Sequence, residues 1–180
     1  MSEYEKKLKE RIKPYFNIKE NYKIDNFKFD FYARYHQKNS KYFLMKEFKY
    51  CTFDNNEYVF YKNGFEEEYI KEIDKLLKRN LRKIVKIDKN HMSSVITFIF
   101  YTDDFDNKII EKIENYKFYK SFKFGFNGWV NVRLILINSN GEQGFANKFG
   151  KKELDKYLIN WISYYFIISR RFVWMQYFWF

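Results

Sequence analysis

The chain is short of the residues that staple, punctuate and catalyse. Its 180 residues include one cysteine (Cys51), one proline (Pro14), six glycines and two histidines, His36 and His91. A single cysteine excludes an intrachain disulfide, and a chain of this length buries roughly 70% of its unfolded surface without staples. Cys51 lies in an apolar, alternating segment, where a buried and inert thiol is expected. Neither histidine has a partner at the spacing a structural metal site uses. There is no HExxH, CxxC, phosphate-loop, GxGxxG or GxSxG pattern, and Gly144 and Gly150 are too irregularly placed for a phosphate cradle. No metal, cofactor or catalytic set is therefore assigned.

A long apolar run is also lacking. The longest, Tyr157–Ser169, has 13 residues, against the ~20 a span needs. Extending it to Phe180 would place Arg170 and Arg171 in hydrocarbon. The first residues, Met1-Ser2-Glu3-Tyr4-Glu5-Lys6-Lys7, are charged and carry no apolar signal core, so a cytoplasmic location is expected.

What the chain does have is aromatic residues, 24% of the total, and a net charge of +11. Both invite an anionic partner or nucleic acid. Only seven of the 34 basic residues are arginine, however, whereas specific phosphate and base recognition favours its bidentate fork. Abundant Phe, Tyr, Lys, Ile and Asn with little Pro and Arg is also what an AT-rich coding sequence produces.

Hydrophobic periodicity predicts helices at 3–13, 65–86, 107–115 and 151–171. Tyr4, Leu8 and Ile12 share a face of the first; Ile73, Leu76, Leu77 and Leu81 line the second, which should lie across a Phe-rich sheet face. Strands are expected at 22–35, 41–51 and 57–62 as a meander, with turns at 38–40 and 53–56. Val95–Tyr101 is apolar on both sides and reads as a covered central strand. Strands at 117–126 and 129–138 flank the hairpin signal Asn127-Gly128. The fold class is α+β: a largely antiparallel sheet of about six strands, helices on one face, and an apolar C-terminal helix. Residues 1–150 form one domain and 151–180 an aromatic-rich helix and tail.

Several segments resemble a family of small uncharacterised proteins and domains of unknown function from low-GC bacteria. They are Phe31-Tyr32-Ala33-Arg34, Asn56-Glu57-Tyr58, His91-Met92-Ser93-Ser94, Ser121–Phe126, Gly128-Trp129, Val132–Leu136 and Asn147-Lys148. The resemblance spans about residues 29–150. It implies a bacterial cytoplasmic protein and no particular activity.

The expected function is a non-enzymatic binding or adaptor domain. Arg34 and His36 alternate onto one side of the first long strand, Asn131 and Arg133 share a side of a later one, and Lys123 lies between. On a common wet face these five residues would bind an anionic ligand or nucleic acid. Two other readings compete. The α-βββ-α-β order resembles metal-dependent nuclease cores, for which Asp30, Glu47 and Lys49 supply the acid and acid-x-Lys elements. The tail 157–180, with Trp161, Trp174, Trp179, Arg170 and Arg171, suits packing in the core, a homodimer contact or a membrane surface. His91 with Ser93 and Ser94 marks the mouth of the central strand, and Asp103, Asp104 and Asp106 read as a helix N-terminal cluster rather than a cation site.

Overall fold

The computed structural model describes residues 1–41, 51–88, 91–102 and 106–159; of residues 37–41 and 51–54 only the backbone is described. Helix α1 (Glu3–Ile12) precedes strands β1 (Asn17–Ile24), β2 (Phe27–Lys41) and β3 (Cys51–Asn63). Helix α2 (Glu68–Ile84) leads to β4 (His91–Thr102), and helix α3 (Asn107–Asn115) to β5 (Tyr119–Ser121) and β6 (Trp129–Asn138). Strand β7 (Gly144–Ala146) and the short helix α4 (Lys148–Lys151) follow. The α+β class holds, and the bounds expected for α1 and α3 are met to within a residue.

The sheet is mixed and has seven strands, not six largely antiparallel ones. Its order is β1-β2-β3-β4-β6-β5, with β7 on the outer edge of β6 beyond β5. The two central ladders, β3 with β4 and β4 with β6, are parallel. The physical reason is the crossover: α2 and α3 each return the chain to the end at which the previous strand began, as a β-α-β connection requires.

Helices cover both faces, not one. Ile73, Leu76, Leu77 and Leu81 of α2 and Ile113 of α3 bury Phe29, Phe60, Phe98 and Leu134 on one face. Tyr4, Leu8 and Ile12 of α1 bury Phe31, Val59, Ile99 and Ile135 on the other, together with Tyr157 from the chain after α4. That last segment is a 3-10 turn at Leu154–Lys156, not the start of a long helix; the remainder of the expected helix, 160–171, and the tail lie outside the described residues. It is strapped down. Tyr4 Oη donates to the Tyr157 carbonyl at 2.9 Å, and Arg11 Nη1 donates to the carbonyls of Lys156 and Leu158 at 2.8 Å each. The packed body therefore runs through Ile159, whose amide donates to the Gly141 carbonyl at 2.7 Å.

Two further differences concern the first strands. The turns expected at 38–40 and 53–56 are paired strand, Lys38 opposite Asp54 and His36 opposite Asn56. Strict alternation would place Phe27, Phe29, Phe31 and Ala33 on one side of β2, but Phe27 and Phe29 face α2 whereas Phe31 and Ala33 face α1. The β1–β2 pairing steps over Asn21 and Asp30, and Asn21 is left-handed at φ 49°. The hairpin thus twists its tip onto one face while its base stays on the other, a left-handed conformation that Asn tolerates better than most residues.

Asn147 holds the far edge together. Its side chain is fully buried and makes four hydrogen bonds. Oδ1 accepts from the amides of Leu134 (3.1 Å) and Gly150 (3.0 Å), and Nδ2 donates to the carbonyls of Val132 (2.9 Å) and Tyr116 (3.2 Å). One amide so joins β6, α4 and the end of α3. Asn147→Asp would aim a carboxylate oxygen at two carbonyls and leave them unpaired, so urea denaturation should show a loss of about 3 kcal/mol or more. A change within about 0.5 kcal/mol, the level of ordinary surface substitutions, would remove this role.

Candidate functional site

The five residues expected to form one surface do not share one. Arg34 and His36 alternate with Tyr32 on the α2 side of β2. Asn131 and Arg133 alternate with Ile135 on the α1 side of β6, so the sheet itself separates the two pairs. Lys123 lies on neither face. It sits in a 3-10 turn (Lys123–Gly125) between β5 and β6, because β5 ends at Ser121. Phe124 and Phe126, in and next to the same turn, are exposed.

On the α1 side, Arg133 Nη1 binds Glu57 Oε1 at 2.6 Å, and Tyr157 Oη donates to the same oxygen at 3.2 Å. Register places Thr97 between Val59 and Arg133, and Val95 between Glu57 and Asn131. Thr97 Oγ1 and Asn131 Oδ1 are buried there without a hydrogen-bond partner. Burial pushes the Tyr157 hydroxyl up, and the Glu57 charge adds to this against the opposing pull of Arg133. The pair is partly buried and internally neutral, so the Arg133 charge is met within the fold.

On the α2 side, the Arg34 guanidinium lies 5.7 Å from the centre of the Tyr58 ring, opposite which it is paired in the ladder. It is partly exposed, has no carboxylate partner among the described residues, and its Nε is buried without an acceptor. Burial raises the Tyr58 hydroxyl, opposed first by the Arg34 charge and then by the Lys86 backbone and Ser94. His36 is exposed one step outward, its Nδ1 2.6 Å from Asn56 Oδ1. Arg34, His36, Asn56 and Tyr58 thus form a cationic rim where β2 and β3 emerge beside the end of α2.

Next to it, His91 Nε2 lies 2.9 Å from Ser94 Oγ, and His91 Nδ1 lies 2.7 Å from the Asn127 carbonyl. A carbonyl only accepts, so Nδ1 carries the proton and a neutral ring accepts from Ser94 through Nε2. That is the spacing of a nucleophile and its base. Yet Ser94 is 0% and His91 3% exposed, which seals the pair from any substrate. It pins the 122–128 loop to the start of β4. The flanking Ser93 Oγ donates to Asn55 Oδ1 at 2.6 Å.

Of the three residues of the nuclease reading, only Asp30 is among the described residues. The Asp30 carboxylate accepts the Asn63 amide at 2.6 Å, while Glu47 and Lys49 lie outside the described residues. Asp106 caps α3 by accepting the Lys108 amide at 3.0 Å; Asp103 and Asp104 lie outside the described residues. Among the described residues no group of three His, Cys, Asp or Glu could hold a metal ion, and no helix is long and apolar enough to cross a membrane. A shallow groove of about 210 Å³ between the β1–β2 turn and α2, lined by Asp25, Glu72, Lys75 and Arg79, was not foreseen. Its signal was the turn Asp25-Asn26, which lay inside an expected strand.

Residues 1–159 match a family model described as Domain of unknown function (DUF8052), and the chain belongs to that family. No curated protein and no solved structure matches it.

The buried tyrosines set an alkaline limit. Burial raises Tyr4, Tyr58 and Tyr157 above the ordinary value of 10.0. Groups raised on folding lend stability that is complete below the unfolded value and is lost as pH climbs through the folded one. Unfolding free energy should fall steadily above pH 10, with tyrosinate absorbance from these rings rising only as the fold is lost. Their full ionisation with native circular dichroism retained would contradict this.

Proposed function

We propose that this domain is a cytoplasmic, non-enzymatic binding module that receives an anionic group of its partner at Arg34. The observation that carries the reading is the state of that guanidinium, which is half-buried against the Tyr58 ring and has no carboxylate partner among the described residues. A ring face is not a full counter-charge, and Arg is the side chain suited to a planar bidentate acceptor. His36 and Asn56 offer further hydrogen-bonding capacity on the same side. The polar groups that converge elsewhere, Glu57 with Arg133 and His91 with Ser94, are consumed by each other. Binding without chemistry is what this distribution supports.

The test uses inorganic phosphate as probe, titrated against the full chain with thermal unfolding as readout. Wild type should be stabilised saturably, and Arg34→Gln should weaken the apparent affinity at least tenfold, about the value of one charge-assisted contact. Arg133→Gln should alter stability but not the phosphate response. No saturable binding by wild type, or equal binding by Arg34→Gln, would end the assignment.

A further inference from the structure

From Asn115 to Gly141 the chain carries no Asp or Glu. In the middle of this stretch, residues 122–128 close on themselves. The Phe122 amide donates to the Gly128 carbonyl at 3.0 Å, and the amides of Gly125 and Asn127 donate to the Phe122 carbonyl at 3.0 and 3.2 Å. Closing the loop so tightly forces Lys123 and Phe124 into the left-handed region, at φ 47° and 54°. That conformation is uncommon for any residue with a Cβ and strained for a bulky one. Gly128, at φ 71°, is needed for a different reason: a Cβ there would stand 2.2 Å from the Met92 carbonyl oxygen. Asn127 anchors the loop from below, its carbonyl on His91 and its Nδ2 donating to the Asp88 carbonyl at 3.3 Å.

This anchored, strained turn holds large apolar side chains in water. Phe124 is 101% and Phe126 87% exposed. Beside them stand Met92 at 48% and Tyr119 at 59%, the latter stacked on Trp129 with ring centres 6.5 Å apart. Loop tips are ordinarily small and polar, and a clustered apolar tip marks a contact surface. Lys120 and Lys123 are both exposed around it, with Lys120 Nζ 6.0 Å from the Phe122 ring centre.

We infer that the 122–128 loop docks the protein on an anionic lipid bilayer. Phe124 and Phe126 enter the interfacial zone, while Lys120 and Lys123 meet the headgroups with their stems along the apolar boundary. An apolar tip with a cationic collar has the complementarity of a lipid interface. A platform for single-stranded nucleic acid lays its rings open along a groove that tracks the backbone; here the rings stand at a convex tip. The inference is independent of the anion contact at Arg34, which lies on β2, three strand positions from β6 on the far side of β4.

The experiment is co-sedimentation of the full chain with phosphatidylcholine vesicles, with and without phosphatidylglycerol. Wild type should bind only the anionic vesicles, and less as salt rises. Phe124→Ser/Phe126→Ser should lower the partition at least tenfold while its urea unfolding curve stays that of wild type, since both rings are exposed. Replacing Lys120 and Lys123 by Gln should remove the preference for phosphatidylglycerol. The inference is overturned if wild type ignores anionic vesicles or binds both kinds alike. It is also overturned if the double Phe variant binds as wild type does, which would move any binding to residues 160–180. Loss of oligothymidylate binding in that variant, without vesicle binding by wild type, would make the loop a nucleic-acid contact instead.

Discussion

Ile96, Phe98 and Phe100 point one way from β4 and Thr97 and Ile99 the other, and all five are buried. A strand with no wet face has to be covered twice and paired on both edges. This demand organises the molecule. The parallel partners β3 and β6 supply the edges, α2 and α3 close one face, and α1 with the strapped segment around Tyr157 closes the other. Exposed groups are left to the rims and the loops.

Polar side chains that do project from the central strands must then find partners inside. Arg133 and Glu57 pair beneath the Tyr157 strap, and Ser94 and His91 pair beneath the 122–128 loop. Each resembles a working site in distance alone. What separates them from an open site is that Arg133 is already met by Glu57 and that Ser94 and His91 are buried, so each pair holds elements in register. Arg34 differs because β2 lies one strand farther from the centre and its flank beside the end of α2 is incompletely covered.

The legible parts of this fold were those governed by local pattern. Spacing alone placed α1, α3 and the core stripe of α2, and a run apolar on both sides marked β4 as central. The early strands do form an antiparallel meander, whereas the central pairs are parallel because α2 separates β3 from β4 and α3 separates β4 from β6. A helix between two strands of one sheet favours parallel pairing. The sides of the Phe-rich strands were misread because strict alternation assumes an even pleat. Asn21 at φ 49° breaks that pleat, and an Asn in a Lys-rich strand gave little warning. Asn147 was foreseeable in part, since Asn followed three residues later by Gly at the start of a short helix is a capping arrangement. Its reach to Tyr116 and Val132 was not, because those bonds exist only once the far edge has assembled.

Arg34 and the 122–128 loop are connected through the sheet. Arg34, Tyr58, Ile96 and Val132 lie in one row of the ladder, and His36, Asn56, Ser94 and Val130 in the next. The loop begins directly beyond that second row, so cationic rim and apolar tip share one end of the sheet, about 14 Å apart across three strand spacings of ~4.8 Å. The chain leaves the described body at the other end, where Ile159 meets Gly141 past the close of β6. Strand β6 alone, Trp129 to Asn138, sets these ends about 30 Å apart at ~3.3 Å per residue. A surface reached by Phe124 therefore also faces Arg34 and His36, and it is remote from the point at which residues 160–180 depart.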